Sequence, residues 1–98
     1  MSNDLVKRKE LWSRLNNVKQ ADWIKAGNCL GLDVIESKKG TSHTHVVRDP
    51  NNKDLDDVRG VIAVLQTHLY KQANREIFKD FLGFGIEEDD IWKCLRML

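Results

Sequence analysis

The chain has 98 residues, of which 41% are hydrophobic and 32% charged, a composition typical of one small globular domain. No apolar run approaches the roughly 20 residues that cross a bilayer, and residues 1–4 lack the apolar segment of a signal peptide, so we expect a cytoplasmic protein. The net charge of +1 does not by itself indicate a nucleic-acid partner. Residues 1–48 carry nine Lys/Arg against five Asp/Glu, a charge of +4, and residues 49–98 carry seven against ten, a charge of −3. The basic half therefore permits RNA binding.

The two cysteines, Cys29 and Cys94, each lie in an apolar helical pattern, and neither belongs to a Cys-x-x-Cys pair. Free cysteine is among the residues most often found buried. We therefore expect reduced, buried thiols with a packing role, rather than a disulfide or a zinc site.

Two amphipathic helices are predicted first, over residues 3–16 and 20–30. Apolar residues recur on one face of each helix. These are Leu5, Leu11, Trp12 and Leu15 in the first helix, and Trp23, Ile24, Gly27 and Leu30 in the second. Gly31 marks the end of the second helix, because glycine readily adopts the left-handed conformation that follows a helix.

Three β-prone segments follow, at Leu32–Ser37, Ser42–Arg48 and Gly60–Gln66. The short connection Lys38–Thr41 contains a glycine and predicts a hairpin. The connection Asp49–Asp57 contains a proline and many polar residues, which favour a longer exposed turn. The segments therefore predict a three-stranded antiparallel meander.

Two more helices are predicted after the strands. Asn74 is a candidate N-cap for the first of them, and Gly83 and Gly85 are expected to end it. The last helix begins near Glu87, since acidic residues are favoured in a first helical turn. Their inward-facing residues are Ile77, Phe78, Phe81 and Leu82 in the first, and Ile91, Trp92, Leu95 and Leu98 in the second.

The predicted order is thus α-α-β-β-β-α-α in a single α+β domain of residues 1–98, with the helices packed on one face of the sheet. Trp12, Trp23 and Trp92 all occupy apolar helical positions. We expect them in the core rather than stacked on RNA bases.

The segment that indicates chemistry is the predicted first hairpin, where Lys38, Lys39, Gly40 and Ser42 precede His43. An imidazole titrates near neutral pH, so it can take a proton from a ribose 2′-hydroxyl or give one to a leaving oxygen. Lysines and backbone N–H groups nearby can hold a phosphate. The same residue types also occur on ordinary solvated hairpins, so the local pattern leaves both readings open.

The order and spacing of these segments resemble the HicA-type toxins of bacterial toxin–antitoxin pairs. In that family a helix ends in glycine plus an apolar residue, a strand follows, and a Lys/Arg-Gly-Ser-His turn comes next. Here Gly31-Leu32, Asp33–Lys38 and Lys39–His43 occupy those places. Leu65–His68, Asn74–Ile77 and Leu82–Glu88 are similar to the family's later elements. The resemblance covers residues 20–92 and leaves residues 1–19 as an N-terminal helical extension.

The resemblance implies a double-stranded-RNA-binding-like fold and a metal-independent ribonuclease that cleaves messenger RNA. It implies that His43 is catalytic, that Gly40 shapes the turn and that Ser42 supports the site. Lys38 and Lys39 are then expected to contact the phosphate, and His68 is a possible second acid or base. The resemblance also implies a HicB-like antitoxin that covers the sheet and the histidine, and no cofactor. It does not indicate an oligomeric state.

The sequence differs from the family pattern, and three alternative interpretations of its function stay open. Thr41 is one residue more than the family turn has, and a one-residue slip moves a side chain to the other face of a strand. The Asp49–Asp57 segment is acidic and would repel phosphate if it lay near the site. The alternatives are a non-catalytic RNA- or protein-binding module, a DNA-contacting or assembly domain, and a metal site formed by His43, His45 and His68.

Overall fold

The computed structural model describes residues 9–36 and 43–97. Four helices and three strands are present in this part of the chain. The helices are α1 (residues 9–14, continued by a 3-10 turn at Leu15–Asn17), α2 (Gln20–Cys29), α3 (Lys71–Phe84) and α4 (Glu88–Cys94), and the strands are β1 (Asp33–Glu36), β2 (His45–Arg48) and β3 (Val61–Leu65). The predicted order of elements and the α+β class are confirmed.

The strands form one open antiparallel sheet in the order β1-β2-β3, as the meander prediction required. Val34 pairs with Val47, and Val47 pairs with Ala63, before a bulge at Val47 and Arg48. Each strand is shorter than predicted. In particular β2 begins at His45, so the prediction that His43 lies inside the strand is wrong.

The core lies between the sheet and the helices. Helix α2 approaches so closely that a Cβ added at Gly27 would lie 2.8 Å from Cγ2 of Val34. Large side chains fill the remaining space, and those that are fully buried include Leu15, Trp23, Phe78, Phe81, Ile91 and Trp92. Trp12 is half-buried and packs on Phe78, with ring centroids 5.0 Å apart. The prediction that the tryptophans belong to the core is confirmed.

Asn74 is not the N-cap of α3, because that helix begins three residues earlier, after Tyr70. The Asn74 side chain is instead fully buried within the helix. Its Oδ1 accepts from Trp23 Nε1 at 2.8 Å, and its Nδ2 donates to Leu15 O at 2.7 Å and to Val18 O at 3.0 Å. One amide therefore joins three segments of the chain.

Apart from the start of α3, the predicted helix-end residues are confirmed with one exception, Gly83. Gly31 and Gly85 have positive φ angles of 79° and 112° just past α2 and α3. Gly83 lies inside α3 and does not end it. Acidic residues occupy the first turn of α4, where they interact favourably with the helix dipole.

The prediction of two reduced, buried thiols is wrong. Cys29 and Cys94 form a disulfide with their Cα atoms 5.7 Å apart, and Cys29 lies at the surface. The bond joins the last residues of α2 and α4, two helices that pack against each other. Disulfides are uncommon in the reducing cytosol. The bond therefore does not support the cytoplasmic location, which stays a prediction. None of the helices in the described ranges has the length and apolar character needed to cross a membrane.

Candidate functional site

Two of the predicted site residues, His43 and His68, lie in the described part of the chain. The other predicted site residues, Lys38, Lys39, Gly40 and Ser42, lie outside the described residues, as does the extra Thr41. The site is therefore built from what surrounds the two histidines.

His43 is paired with a carboxylate. Its Nδ1 lies 3.2 Å from Oε1 of Glu36, the last residue of β1. The pairing follows from the hairpin register, since Glu36 lies opposite His45 and His43 comes two residues before it. The His43 side chain is 78% exposed, against 45% for Glu36, so the imidazole is held on one side and open to solvent on the other.

His45 has a local structural contact. Its Nδ1 lies 3.1 Å from the carbonyl oxygen of His43, which helps to fix the backbone just before β2. Alternation along the strand puts His45 on the same face as Val47, which is fully buried under the helices. His45 is half-buried there.

Gln20, the first residue of α2, ties two of these segments together. Its Nε2 donates to His43 O at 2.8 Å and to Leu65 O at 3.0 Å. The start of the β2 segment and the end of β3 therefore meet at the N-terminus of α2. The predicted site did not include Gln20 or Glu36, because their roles depend on the register of the hairpin and the position of α2.

His68 is exposed in the connection between β3 and α3. It lies in an open surface depression with Lys19, Thr67, Leu69 and Tyr70. Only two residues separate it from Leu65, whose carbonyl accepts a hydrogen bond from the same Gln20 amide as the carbonyl of His43. The two exposed histidines thus occur at the same end of the sheet.

The acidic segment after β2 lies at the other end of that strand. Arg48 ends β2, is almost fully buried, and donates from Nη2 to Asp54 O at 2.7 Å and Asp57 O at 3.1 Å. A hydrogen bond from the Arg59 side chain, followed by one from Asn52, lowers the pKa of Asp57 to about 2. Because β2 spans about 10 Å, the segment does not crowd His43 with negative charge.

The three-histidine metal site finds no support in the arrangement of side chains. Within residues 9–36 and 43–97, no three His, Cys, Asp or Glu side chains are grouped as metal ligands would be. His43 and His45 instead contact a carboxylate and a backbone carbonyl.

Comparison with known proteins gives no relative of this chain. No protein-family model matches it, and neither do curated proteins or solved structures. The functional argument therefore rests on the site itself.

Proposed function

We propose that the protein is a metal-independent endoribonuclease that cleaves messenger RNA, like the HicA-type toxins it resembles. The observation that carries this proposal is the exposed His43 imidazole paired through Nδ1 with the Glu36 carboxylate. When Nδ1–H donates to a carboxylate, the lone pair is on Nε2, which here faces solvent and has no hydrogen-bond partner in the described ranges. This is the arrangement that a general base requires.

In the proposed reaction, Nε2 of His43 takes the proton of a ribose 2′-hydroxyl. The 2′-oxygen attacks the adjacent phosphorus, the bond from phosphorus to the 5′-oxygen breaks, and that oxygen receives a proton. The products are a 2′,3′-cyclic phosphate and a 5′-hydroxyl. Glu36 acts as a positioning residue that stabilises the imidazolium formed during the proton transfer.

His68 is the proposed proton donor to the leaving oxygen, since it lies at the same end of the sheet and is exposed. Lys19 contributes a positive charge to the depression beside it. The proposed phosphate contacts of Lys38, Lys39, Ser42 and the Gly40 amide complete the site.

The resemblance also underlies two finer proposals. One is that sheet and helices adopt the double-stranded-RNA-binding arrangement, with helices on one face only. It is supported by the packing of α2 on the sheet and by the partial exposure of Ile35 and Val64. The other is that a HicB-like antitoxin binds the protein and covers His43.

The second candidate is a non-catalytic RNA- or protein-binding module of the same fold. It is favoured by the openness of the site, because a surface imidazole–carboxylate pair is also found on proteins without catalytic activity.

Induced expression in bacteria separates the two candidates. We expect the wild-type protein to arrest growth and to shorten transcripts, and His43→Ala to do neither at the same protein level. Asn28→Ala, which changes an exposed residue of α2, is the matched control and should behave as wild type. Folded wild-type protein that leaves growth and transcripts unchanged would contradict the enzyme proposal.

A further inference from the structure

Tyr70 is the most exposed aromatic residue of the chain, whose three Trp, one Tyr and three Phe all lie in the described ranges. It is 76% exposed, whereas Phe84, the next most exposed aromatic residue, is 42% exposed. Within those ranges the Tyr70 ring contacts no other ring, and its hydroxyl has no hydrogen-bond partner. Most aromatic side chains instead bury a large apolar area. The part of the fold that is described therefore gives this ring no packing role.

The Tyr70 ring lines the same surface depression as His68, together with Lys19, Thr67 and Leu69. The volume of the depression is about 420 Å³, within the range of sites that bind small ligands. No acidic residue lines it, and within the described ranges Lys19 forms no ion pair. A flat aromatic face beside an unpaired cation suits a ligand that has both an aromatic ring and a negative charge, as a nucleotide does.

The backbone on both sides of the depression is fixed by the fold. The carbonyl of Tyr70 accepts a hydrogen bond from the backbone N–H of Asn74 at 3.0 Å, and Leu69 packs against the core. On the other side, the carbonyl of Lys19 accepts from the backbone N–H of Trp23 at 3.2 Å. A ligand would therefore find this backbone already ordered, which lowers the entropy cost of binding.

The depression adjoins the proposed general base. Lys19 is followed by Gln20, whose side-chain amide donates to the carbonyl of His43 at 2.8 Å. One side chain thus connects the edge of the depression to the backbone of His43. A nucleotide in the depression would be a neighbour of the phosphate that His43 is proposed to act on.

We propose that the depression binds one nucleotide of single-stranded RNA, with its base stacked on Tyr70 and its phosphate held by Lys19. Single-stranded RNA fits because its bases can be splayed out, whereas the bases of a duplex are stacked on each other. The site accepts any of the four bases, since every base has a face that stacks on an aromatic ring.

The position of this nucleotide in the substrate rests on the proposed nuclease reaction. There His68 gives its proton to the leaving 5′-oxygen, which belongs to the nucleotide on the 3′ side of the cleaved bond. Because His68 and Tyr70 line the same depression, the base that stacks on Tyr70 is that of the 3′ nucleotide.

The first test measures binding without cleavage. The probe is a fluorescein-labelled single-stranded RNA of about eight nucleotides with 2′-fluoro groups, which cannot be cut by 2′-hydroxyl attack, and binding is followed by fluorescence anisotropy. We expect saturable binding to wild type, about 5- to 150-fold weaker binding to Tyr70→Ala, and near-wild-type binding to Tyr70→Phe, which keeps the ring. The matched control is Phe84→Ala, which removes a partly exposed ring at the other end of α3 and should bind as wild type.

Two further arms identify the phosphate contact and the ligand class. Lys19→Gln should reduce the slope of log affinity against log salt concentration by about 0.7, whereas Lys25→Gln, at an exposed position of α2, should not. A polyglutamate peptide of equal charge should bind more weakly than the RNA and equally to wild type and Tyr70→Ala. The proposal is overturned if wild type does not bind the RNA saturably, if Tyr70→Ala or Lys19→Gln behaves as wild type, or if polyglutamate binds as tightly as RNA.

The second test locates the nucleotide by cleavage of the ribose form of the same RNA. An abasic residue on the 3′ side of the cut bond should slow wild type and have little further effect on Tyr70→Ala, whereas one on the 5′ side should affect both proteins alike. Equal sensitivity of the two proteins to the 3′ abasic residue overturns the 3′ assignment. Wild type that binds the uncut RNA through Tyr70 but cleaves no ribose RNA contradicts the nuclease proposal and the 3′ assignment, and supports the nucleotide site alone. Cleavage by wild type, with binding unchanged in Tyr70→Ala, contradicts the nucleotide site and supports the nuclease.

Discussion

Replacement of Asn74 tests the most connected polar group in the core. In Asn74→Ala the Trp23 indole N–H and the Val18 carbonyl lose their partners, whereas the Leu15 carbonyl keeps a bond from Val18 N at 3.1 Å. Each buried polar group left unpaired costs about 1–3 kcal/mol, so we expect a loss of about 2–6 kcal/mol in the free energy of unfolding.

This loss is large for a domain whose total stability is about 5–15 kcal/mol. Even its lower limit lowers the melting temperature by roughly 10 °C. Urea denaturation followed by tryptophan fluorescence, together with thermal melts followed by circular dichroism, measures both quantities.

Two further variants sharpen the test. Asn74→Asp keeps an acceptor for Trp23 but loses both donated bonds and places a charge in the core, so we expect it to be no more stable than Asn74→Ala. Asn28→Ala, at an exposed position of α2, should stay within about 0.5 kcal/mol of wild type. An Asn74→Ala protein as stable as Asn28→Ala would refute the assigned hydrogen bonds.

Three other predictions concern packing, the disulfide and acid stability. Gly27→Ala should destabilise the fold by about 1 kcal/mol, because the added methyl overlaps a β1 valine. Gly83→Ala has open space around the added methyl and should stabilise α3 by up to about 1 kcal/mol. Equal effects of the two variants in urea melts would contradict the packing of α2. Replacing Cys29 and Cys94 by serine should cost about 4 kcal/mol, since the bond closes a loop of 65 residues, and two reactive thiols in protein purified without reductant would contradict the bond. The pKa of Asp57 is lowered from 3.8 to about 2, so this carboxylate contributes stability that is present above pH 4 and lost as the pH falls toward 2. Asp57→Asn should therefore make the free energy of unfolding depend less on pH between pH 4 and pH 2. An unchanged pH dependence would argue against the arginine contact.

Local patterns in the sequence predict much of the fold. The helical stripes that include Leu15, Trp23 and Phe78 are confirmed as core positions, because a 3.6-residue period reports burial directly. Gly31 and Gly85 are confirmed as helix ends, since the left-handed backbone favours glycine.

Features that depend on distant contacts could not be predicted in this way. Cys29 and Cys94 are 65 residues apart, and nothing in their spacing shows that the ends of α2 and α4 meet. Asn74 has the residue type of a helix cap, but the packing of α1 and α2 against α3 gives it buried partners instead. Here tertiary structure overrides local preference.

In the candidate site, too, local features could be predicted from the sequence and distant contacts could not. The sequence places His43 near a hairpin by local rules alone. The contact between His43 and Glu36 depends on the register of β1 against β2. The sequence alone does not define this register, because it does not define the length of the turn between the strands. Gln20, which holds the backbone of His43 and Leu65, lies far from both in sequence.

The central claim is that His43, positioned by Glu36, cleaves RNA by attack of the 2′-hydroxyl. The most direct measurement is cleavage of an end-labelled RNA by purified protein in the presence of EDTA, beside the same RNA with 2′-deoxyribose at the cleaved position. We expect wild type to cut only the ribose substrate and to leave a 2′,3′-cyclic phosphate. We expect a loss of about 10²- to 10⁴-fold in His43→Ala, a smaller loss in Glu36→Gln, and none in Glu10→Gln, which removes an exposed carboxylate of α1. Cleavage of the deoxy substrate, or equal rates for wild type and His43→Ala, would contradict the claim.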